Sequence, residues 1–212
     1  MTDDLPLAEL RPRLIAAMLP HIAFDGWSDA ARDGAALDAG IDRDIAAMAL
    51  SDAAAMLDAW TARTDAVMTQ AMVAGHNMKI RDRIKLALTS RLAANDREAT
   101  RRALALLAQP QHAGLSARLL WRSADAMWRA AGDTATDYNH YTKRAILSGI
   151  YAATLLFWID DDSADAAATM AFIDRRIDGV MRFEKAKARI GKLTANLPDP
   201  ARFLGRLRYP AV

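Results

Sequence analysis

Cysteine is absent from all 212 residues, which excludes disulfides, thiolate metal sites and cysteine nucleophiles. Glutamate is scarce: Glu9, Glu98 and Glu184 are all there is, and none stands three residues before a histidine. The paired Glu-x-x-His units of helix-borne di-iron centres are therefore missing. His21, His76, His112 and His140 are scattered, with no HxxxH or HExxH pair. No GxGxxG, GxxxxGK[ST] or GxSxG occurs, so nucleotide loops and a nucleophile elbow are excluded by motif. Charge of one sign is lacking too: 28 basic residues face 26 acidic ones, and a net charge of +2 gives no general attraction to polyanions. The most apolar run, Ala145 to Ile159, has fifteen residues broken by Ser148, Gly149 and Thr154. A membrane span takes about eighteen or more, so the run reads as a buried helix. Met1 to Leu10 carries Asp3, Asp4 and Glu9 and no apolar stretch, which fits neither a signal peptide nor an arginine-rich transit peptide. The expectation is a cytoplasmic, bacterial protein.

What the chain has is alanine, 47 residues of it, with only seven prolines. Alanine is the strongest helix former, and no stretch alternates apolar and polar residues as a half-buried strand does. The fold class is all-α. Helical spacing predicts helices over about 7–24, 29–39, 42–48, 52–73, 78–94, 96–107, 115–131, 135–158 and 164–189, with a last short one after Pro198. Ser28 and Ser51 are the expected N-caps of the second and fourth, and Gly26, Gly40, Gly75 and Gly132 the expected stops. Asp160, Asp161 and Asp162 read as a solvated helix end or turn, because the spaced oxygen ligands of a calcium loop are missing.

The first three helices, with Phe24-Asp25-Gly26-Trp27-Ser28 between the first two, resemble the N-terminal helix-turn-helix of TetR-type regulators. The reading helix of such a unit needs basic, aromatic and hydroxyl side chains. Here it runs Asp42-Arg43-Asp44-Ile45-Ala46-Ala47-Met48-Ala49-Leu50. One base between two acids, followed by apolar residues, repels phosphate and reads no base edge, so nucleic acid is not an expected partner. Three helices packing for their own sake fit equally well.

The most informative stretch is Leu115 to Glu184. It contains Trp121-x-x-x-Asp125-x-x-Trp128, Gly132-Asp133, and Asp137-Tyr138-Asn139-His140-Tyr141-Thr142-Lys143-Arg144. Trp121, Asp125 and Trp128 share one helix face by spacing, as core or as ligand wall. On the helix after Gly132, Tyr138, Thr142, Ile146, Gly149, Ile150, Ala153 and Phe157 cluster on one side, a core or pocket wall. Asp137, His140, Tyr141, Arg144, Ser148 and Tyr151 cluster on the other. Tyrosine and arginine are enriched where proteins meet partners; an ordinary polar surface is the plainer alternative.

This block, within about residues 10–185, is similar to the ubiquinone-biosynthesis accessory protein family, the TetR-like, lipid-binding partner of the di-iron demethoxyubiquinone hydroxylase. The resemblance implies a TetR-regulator-like helical bundle that forms a homodimer. It also implies an isoprenoid quinone or other lipid as ligand rather than a cofactor, no catalytic residues, no metal, and a peripheral position at the inner face of a membrane. The implied lipid-binding residues are Trp121, Trp128, Tyr138, Ile146, Gly149, Ile150, Ala153 and Phe157. The implied hydroxylase patch is Asp137, His140, Tyr141 and Arg144; the family often carries tryptophan where this chain has His140.

After Gly191 the composition shifts. Asp199 and Pro200 can open a short helix that sets Phe203, Leu204 and Leu207 on one side and Arg202 and Arg206 on the other, with Arg208 at the boundary. A basic helix with an apolar face suits an anionic membrane surface; packing back onto the core is the alternative. The expected organisation is a degenerate helix-turn-helix segment at 1–50, a lipid-binding and dimerisation body at 51–190, and a membrane-docking segment at 191–212. A ligand-responsive TetR-type transcriptional regulator is the second reading, and a purely structural helical module the third.

Overall fold

Short acidic and hydroxyl side chains set where the helices begin, by accepting hydrogen bonds from backbone N–H groups that have no partner within the first turn. The computed structural model describes residues 5–134 and 138–194, and the side chains of all of these except 138, 139, 181 and 183–194. Helix α1 spans Leu7–Asp25, α2 Asp29–Asp38 and α3 Arg43–Ala49. Ser28 Oγ accepts from the Ala31 N–H, and the Asp42 carboxylate from those of Asp44 and Ile45. Helix α4 spans Ala53–Ala71. Its cap is Asp52, which accepts from the Ala55 N–H at 2.8 Å, and not Ser51, whose hydroxyl faces Asp52. A 3-10 turn, Met72–Gly75, replaces the expected last turn of α4. Then come α5 (Ile80–Ala93), α6 (Arg97–Leu107, capped by Asp96), α7 (Ala113–Ala130), α8 (Tyr138–Trp158) and α9 (Ala167–Thr194). No strand occurs among the described residues, and the fold is an all-α helical bundle. The expected short C-terminal helix falls outside the described residues.

Contacts divide the chain into two compact units, residues 1–173 and 174–212. Within the first, Leu10, Leu14, Ile15, Met18 and Ile22 make one fully buried stripe on α1. It shares a core with Trp27, Ala31, Ala35, Met56, Leu57, Trp60, Ala103 and Leu119, so α1–α3 are packed onto the body. The alanines bring the helix backbones close. Beyond this core, α4 packs on α5 and α7, and α7 on α8. Met68, Leu88, Leu92, Met127, Leu147, Tyr151 and Leu155 are buried there. In the second unit the described residues continue α9.

The three-acid run is not simply solvated. Asp161 is 7% exposed. It accepts hydrogen bonds from the Ser163 N–H and hydroxyl and from the Thr169 N–H and hydroxyl, and so organises the turn from α8 into α9. These donors, Ser163 first, hold its carboxyl well below the ordinary carboxylate range. A depressed folded value contributes stability above the unfolded value of about 3.9 and loses it as pH falls through the folded one. Asp161→Asn is expected to lower Tm at pH 7, with the gap to wild type closing as pH drops below about 4. Equal Tm at neutral pH would remove the turn's dependence on this carboxylate.

Candidate functional site

Helices α4 to α8 surround a cavity of about 250 Å³. Leu57, Leu104, Leu107, Leu119 and Leu155 form its apolar walls. Arg91 is the one charged side chain among the described lining residues, and it is 3% exposed. Its Nε stands 2.9 Å from an Asp65 carboxylate oxygen, and its Nη groups donate to the Thr64 and Ser123 hydroxyls at 2.8 Å each. The guanidinium carbon lies 4.9 Å from the centre of the Tyr151 ring. Burial pushes the Asp65 carboxyl up, against the pull of Arg91 and Arg122, and burial likewise pushes the Tyr151 hydroxyl up. Leu156, also lining the cavity, is 58% exposed. The lining thus combines buried polar side chains around Arg91, leucine walls and an exposed leucine.

Of the residues expected to hold lipid, Tyr138 has no described side chain. The other seven, Trp121, Trp128, Ile146, Gly149, Ile150, Ala153 and Phe157, do not line this cavity. Helix α8 presents Tyr151, Ala152, Leu155 and Leu156 to it instead. The stripe of Ile146, Gly149, Ile150, Ala153 and Phe157 is half-buried or exposed, and a Cβ built on Gly149 meets nothing within 4 Å. Phe157 stacks on Phe172 of α9 at 4.7 Å between ring centroids. The inward face was hidden by its own polarity: Arg144, Tyr151 and Thr154 are buried on it, satisfied by partners on other helices or one turn back. Arg91 and Asp65 left a signal that spacing alone could have found, since each sits in register with apolar residues, Arg91 with Ile84 and Leu88, Asp65 with Leu57 and Met68.

The block around Gly132-Asp133 is a lock between α7 and α8. Gly132 has φ +82°, a left-handed conformation that side chains disfavour, and a Cβ there would stand 3.1 Å from Arg83. The Asp133 N–H donates to the Trp128 carbonyl, the glycine-terminated closure of a helix end. Asp133 is thereby aimed at Lys143 Nζ, at 2.7 Å, and Arg144, at 3.1 Å. Against the cost of burial, hydrogen bonds from these two hold its carboxyl below the ordinary range. Arg144 Nε donates to Asp125 at 2.6 Å. The Trp128 indole donates to the Lys143 carbonyl at 3.0 Å, and Trp121 stacks with Tyr141 at 6.2 Å.

Arg144, expected on the exposed partner face, is therefore a buried strut, 2% exposed, because two carboxylates on the α7 side claim its donors. Tyr141 is on the surface, 62% exposed, with His140 edge-on to it at 5.0 Å. Asp137 lies outside the described residues. So do Arg202, Phe203, Leu204, Arg206, Leu207 and Arg208 of the expected membrane segment. No helix among the described residues is long and apolar enough to cross a membrane. No group of His, Asp and Glu that could hold a metal occurs among them. In α3, the would-be reading helix, Arg43 is paired with Asp33, and the first fifty residues hold nine acids against four arginines.

The sequence model of the COQ9 family matches residues 113–184, a segment that contains the whole lock. The rat protein named ubiquinone biosynthesis protein COQ9, mitochondrial, is 31% identical over 82% of this chain and 59% of its own length. Its human counterpart is 27% identical over 82% and 58%. COQ9-B of Xenopus laevis is 42% identical over 79 residues, 37% of this chain and 27% of its own. The chain thus spans less than two thirds of the length of these relatives. A TetR transcriptional regulator from Nitrosomonas europaea superposes with a TM-score of 0.64 at 20% identity, covering 80% of this chain and 97% of that one, which establishes a TetR-like fold. The relatives from rat, cattle, human, Dictyostelium and Drosophila are all named mitochondrial, and this overturns the expectation of a cytoplasmic, bacterial protein. Through the segment that locks α7 to α8, and along most of its length, the chain is similar to proteins of the COQ9 family.

Proposed function

We propose that this chain is a non-catalytic, lipid-binding accessory protein of ubiquinone biosynthesis that presents isoprenoid quinone intermediates to a membrane-associated di-iron hydroxylase. The observation that carries the reading is the cavity: leucine walls, the buried Arg91 cluster and the exposed Leu156, lined in part by the same helix that bears the exposed Tyr141. A prenyl chain gains roughly 0.8 kcal/mol per methylene removed from water, and a cavity of about 250 Å³ lies below the roughly 300 Å³ at which pockets enclose drug-sized ligands. The head and the start of the chain therefore go inside, and the rest leaves past Leu156 toward the bilayer. Tyr141 and Tyr151 are ten residues apart on α8, about 15 Å along the axis, so an enzyme docked on the Tyr141 patch stands near the ligand. The half-open stripe of Ile146, Gly149, Ile150, Ala153 and Phe157 serves a second copy of the chain, and the basic, apolar segment from Arg202 to Arg208 docks on the membrane. The acidic surroundings of α3 argue against a DNA-binding regulator.

Mass spectrometry of an organic extract is expected to find an isoprenoid quinone or precursor bound to the purified protein. Ala152→Trp, which fills the cavity, lowers its occupancy severalfold, whereas Ala153→Trp, on the outward stripe, leaves it unchanged. No lipid in the extract, together with no change in Tm on adding quinone, would refute the cavity as a lipid site.

The lock and the patch separate in a second experiment. Tyr141→Ala is expected to weaken capture of the hydroxylase about tenfold, the scale of an aromatic hot spot, at unchanged Tm. Arg144→Met is expected to cost about 3 kcal/mol of stability, since it strands buried carboxylates. Wild-type capture by Tyr141→Ala would move the partner site elsewhere, and wild-type stability in Arg144→Met would contradict the strut.

A further inference from the structure

A groove of about 630 Å³ runs along α4, beside α1 and α7. It shares no lining residue with the leucine-walled cavity. Its floor is Ala55, Ala59, Ala62 and Ala66 of α4, which follow one another at steps of four, three and four residues. That is the spacing of a coiled-coil seam, and here it is about 16 Å long. Ala62 and Ala66 are exposed, and Ala55 and Ala59 are half-buried.

Charge decides what the groove can take. Arg63 stands on α4, Arg11 on the α1 side and Arg118 on the α7 side. Neither Arg63 nor Arg118 has a partner among the described residues. Arg11 gives its Nε to the Ala49 carbonyl at 2.9 Å, which anchors the side chain without neutralising it. The two aspartates of the lining are already committed. Asp52 accepts from the Ala55 N–H as the cap of α4, and Asp58 pairs with Arg122 at 2.7 Å. Arg43, Arg91 and Arg144 are matched by aspartates elsewhere, so the unmatched arginines of this groove stand out from the framework.

A membrane surface fits poorly, because the groove carries no large aliphatic or aromatic side chain to insert. Nucleic acid fits poorly too, because Asp52 and Asp58 would face its phosphates. A helix with small residues on one face fits the seam, and carboxylates beside that face match the guanidinium groups.

We propose that this groove is the docking site for a helix of a partner protein, one with small side chains on its contact face and glutamate or aspartate along its edges. The alanine seam lets the two helix axes approach to about 8 Å, the close end of the usual range. Arg11 and Arg118 meet carboxylates from the two sides, and Arg63 meets one from α4. Alanine buries little apolar area, so charge steers the encounter and selects the partner.

Fluorescence anisotropy on the full chain tests this with a designed helical peptide about three heptads long, alanine at a and d and glutamate at e and g. Its control is the same peptide with lysine at e and g. The glutamate peptide is expected to bind, with an affinity that falls as salt rises, and the lysine peptide to bind at least tenfold more weakly. Arg63→Glu and Arg118→Glu are each expected to weaken the glutamate peptide about three- to tenfold, and the two together to make the lysine peptide the preferred one. Ala62→Trp, at an exposed position, is expected to abolish binding at wild-type Tm. Equal binding of the two peptides, or no binding of the glutamate peptide, overturns the proposal. So does another occupant: flotation with phosphatidylglycerol vesicles that the double variant loses would assign the groove to a membrane, and self-association in sedimentation that the double variant loses would assign it to a second copy. The lipid cavity stands or falls apart from every one of these outcomes.

Discussion

A buried ion pair organises the body of this protein. Arg91 of α5 reaches Asp65 and Thr64 of α4 and Ser123 of α7, and lies over the Tyr151 ring of α8. One side chain thus ties four helices at a single depth. A guanidinium at 3% exposure is tolerable only when its charge is matched and its donors are used. That requirement fixes the height of α5 against α4 and the direction in which α8 turns its tyrosine. Apolar packing alone would allow these helices to slide by a fraction of a turn. The pair specifies one register, and the space left above it, walled by leucine, is the cavity.

The second constraint is the lock between α7 and α8, which decides the rotation of α8. With Arg144 held by Asp125 and Asp133, Leu147, Tyr151, Thr154 and Leu155 follow inward at helical spacing. Ile146, Gly149, Ile150, Ala153 and Phe157 must then face out. The residues that make the family block distinctive therefore serve position first: Gly132 for its left-handed φ, Asp133 for two cations, Trp128 for a bond across the hairpin. Tyr141 is what the lock leaves exposed, with His140 half-buried beside it. Charge on the framework is spent internally. Arg43, Arg91, Arg122 and Arg144 are all paired with aspartates.

Much of this was legible in the sequence and part was not, for definable reasons. Alanine content, glycine stops and short polar caps placed every described helix to within a few residues, because these signals act over one turn. Ser51 yielded to Asp52 at the cap of α4 because a carboxylate is the stronger acceptor one position on. The α7–α8 block was recognisable as a pattern. Its pairings were not, since Asp125 and Arg144 are nineteen residues apart and meet only after the hairpin closes. The inward face of α8 was read from apolarity, and that rule fails where polar side chains are buried with distant partners. Thr154 bonds a carbonyl one turn back, Tyr151 lies against Arg91, and neither partner shows in the periodicity of α8. The cavity itself is assembled from five helices, which no local pattern reports.

The proposed lipid tail would lie against the inner face of α8 and leave past Leu156. Photo-crosslinking of the full chain with a prenyl quinone carrying a diazirine on its tail, followed by peptide mass spectrometry, tests it most directly. The account predicts adducts on Leu104, Leu107, Leu155 and Leu156, which line the cavity and its mouth. Adducts confined to Ile146, Ile150 and Phe157 would place the lipid on the outward face and contradict it.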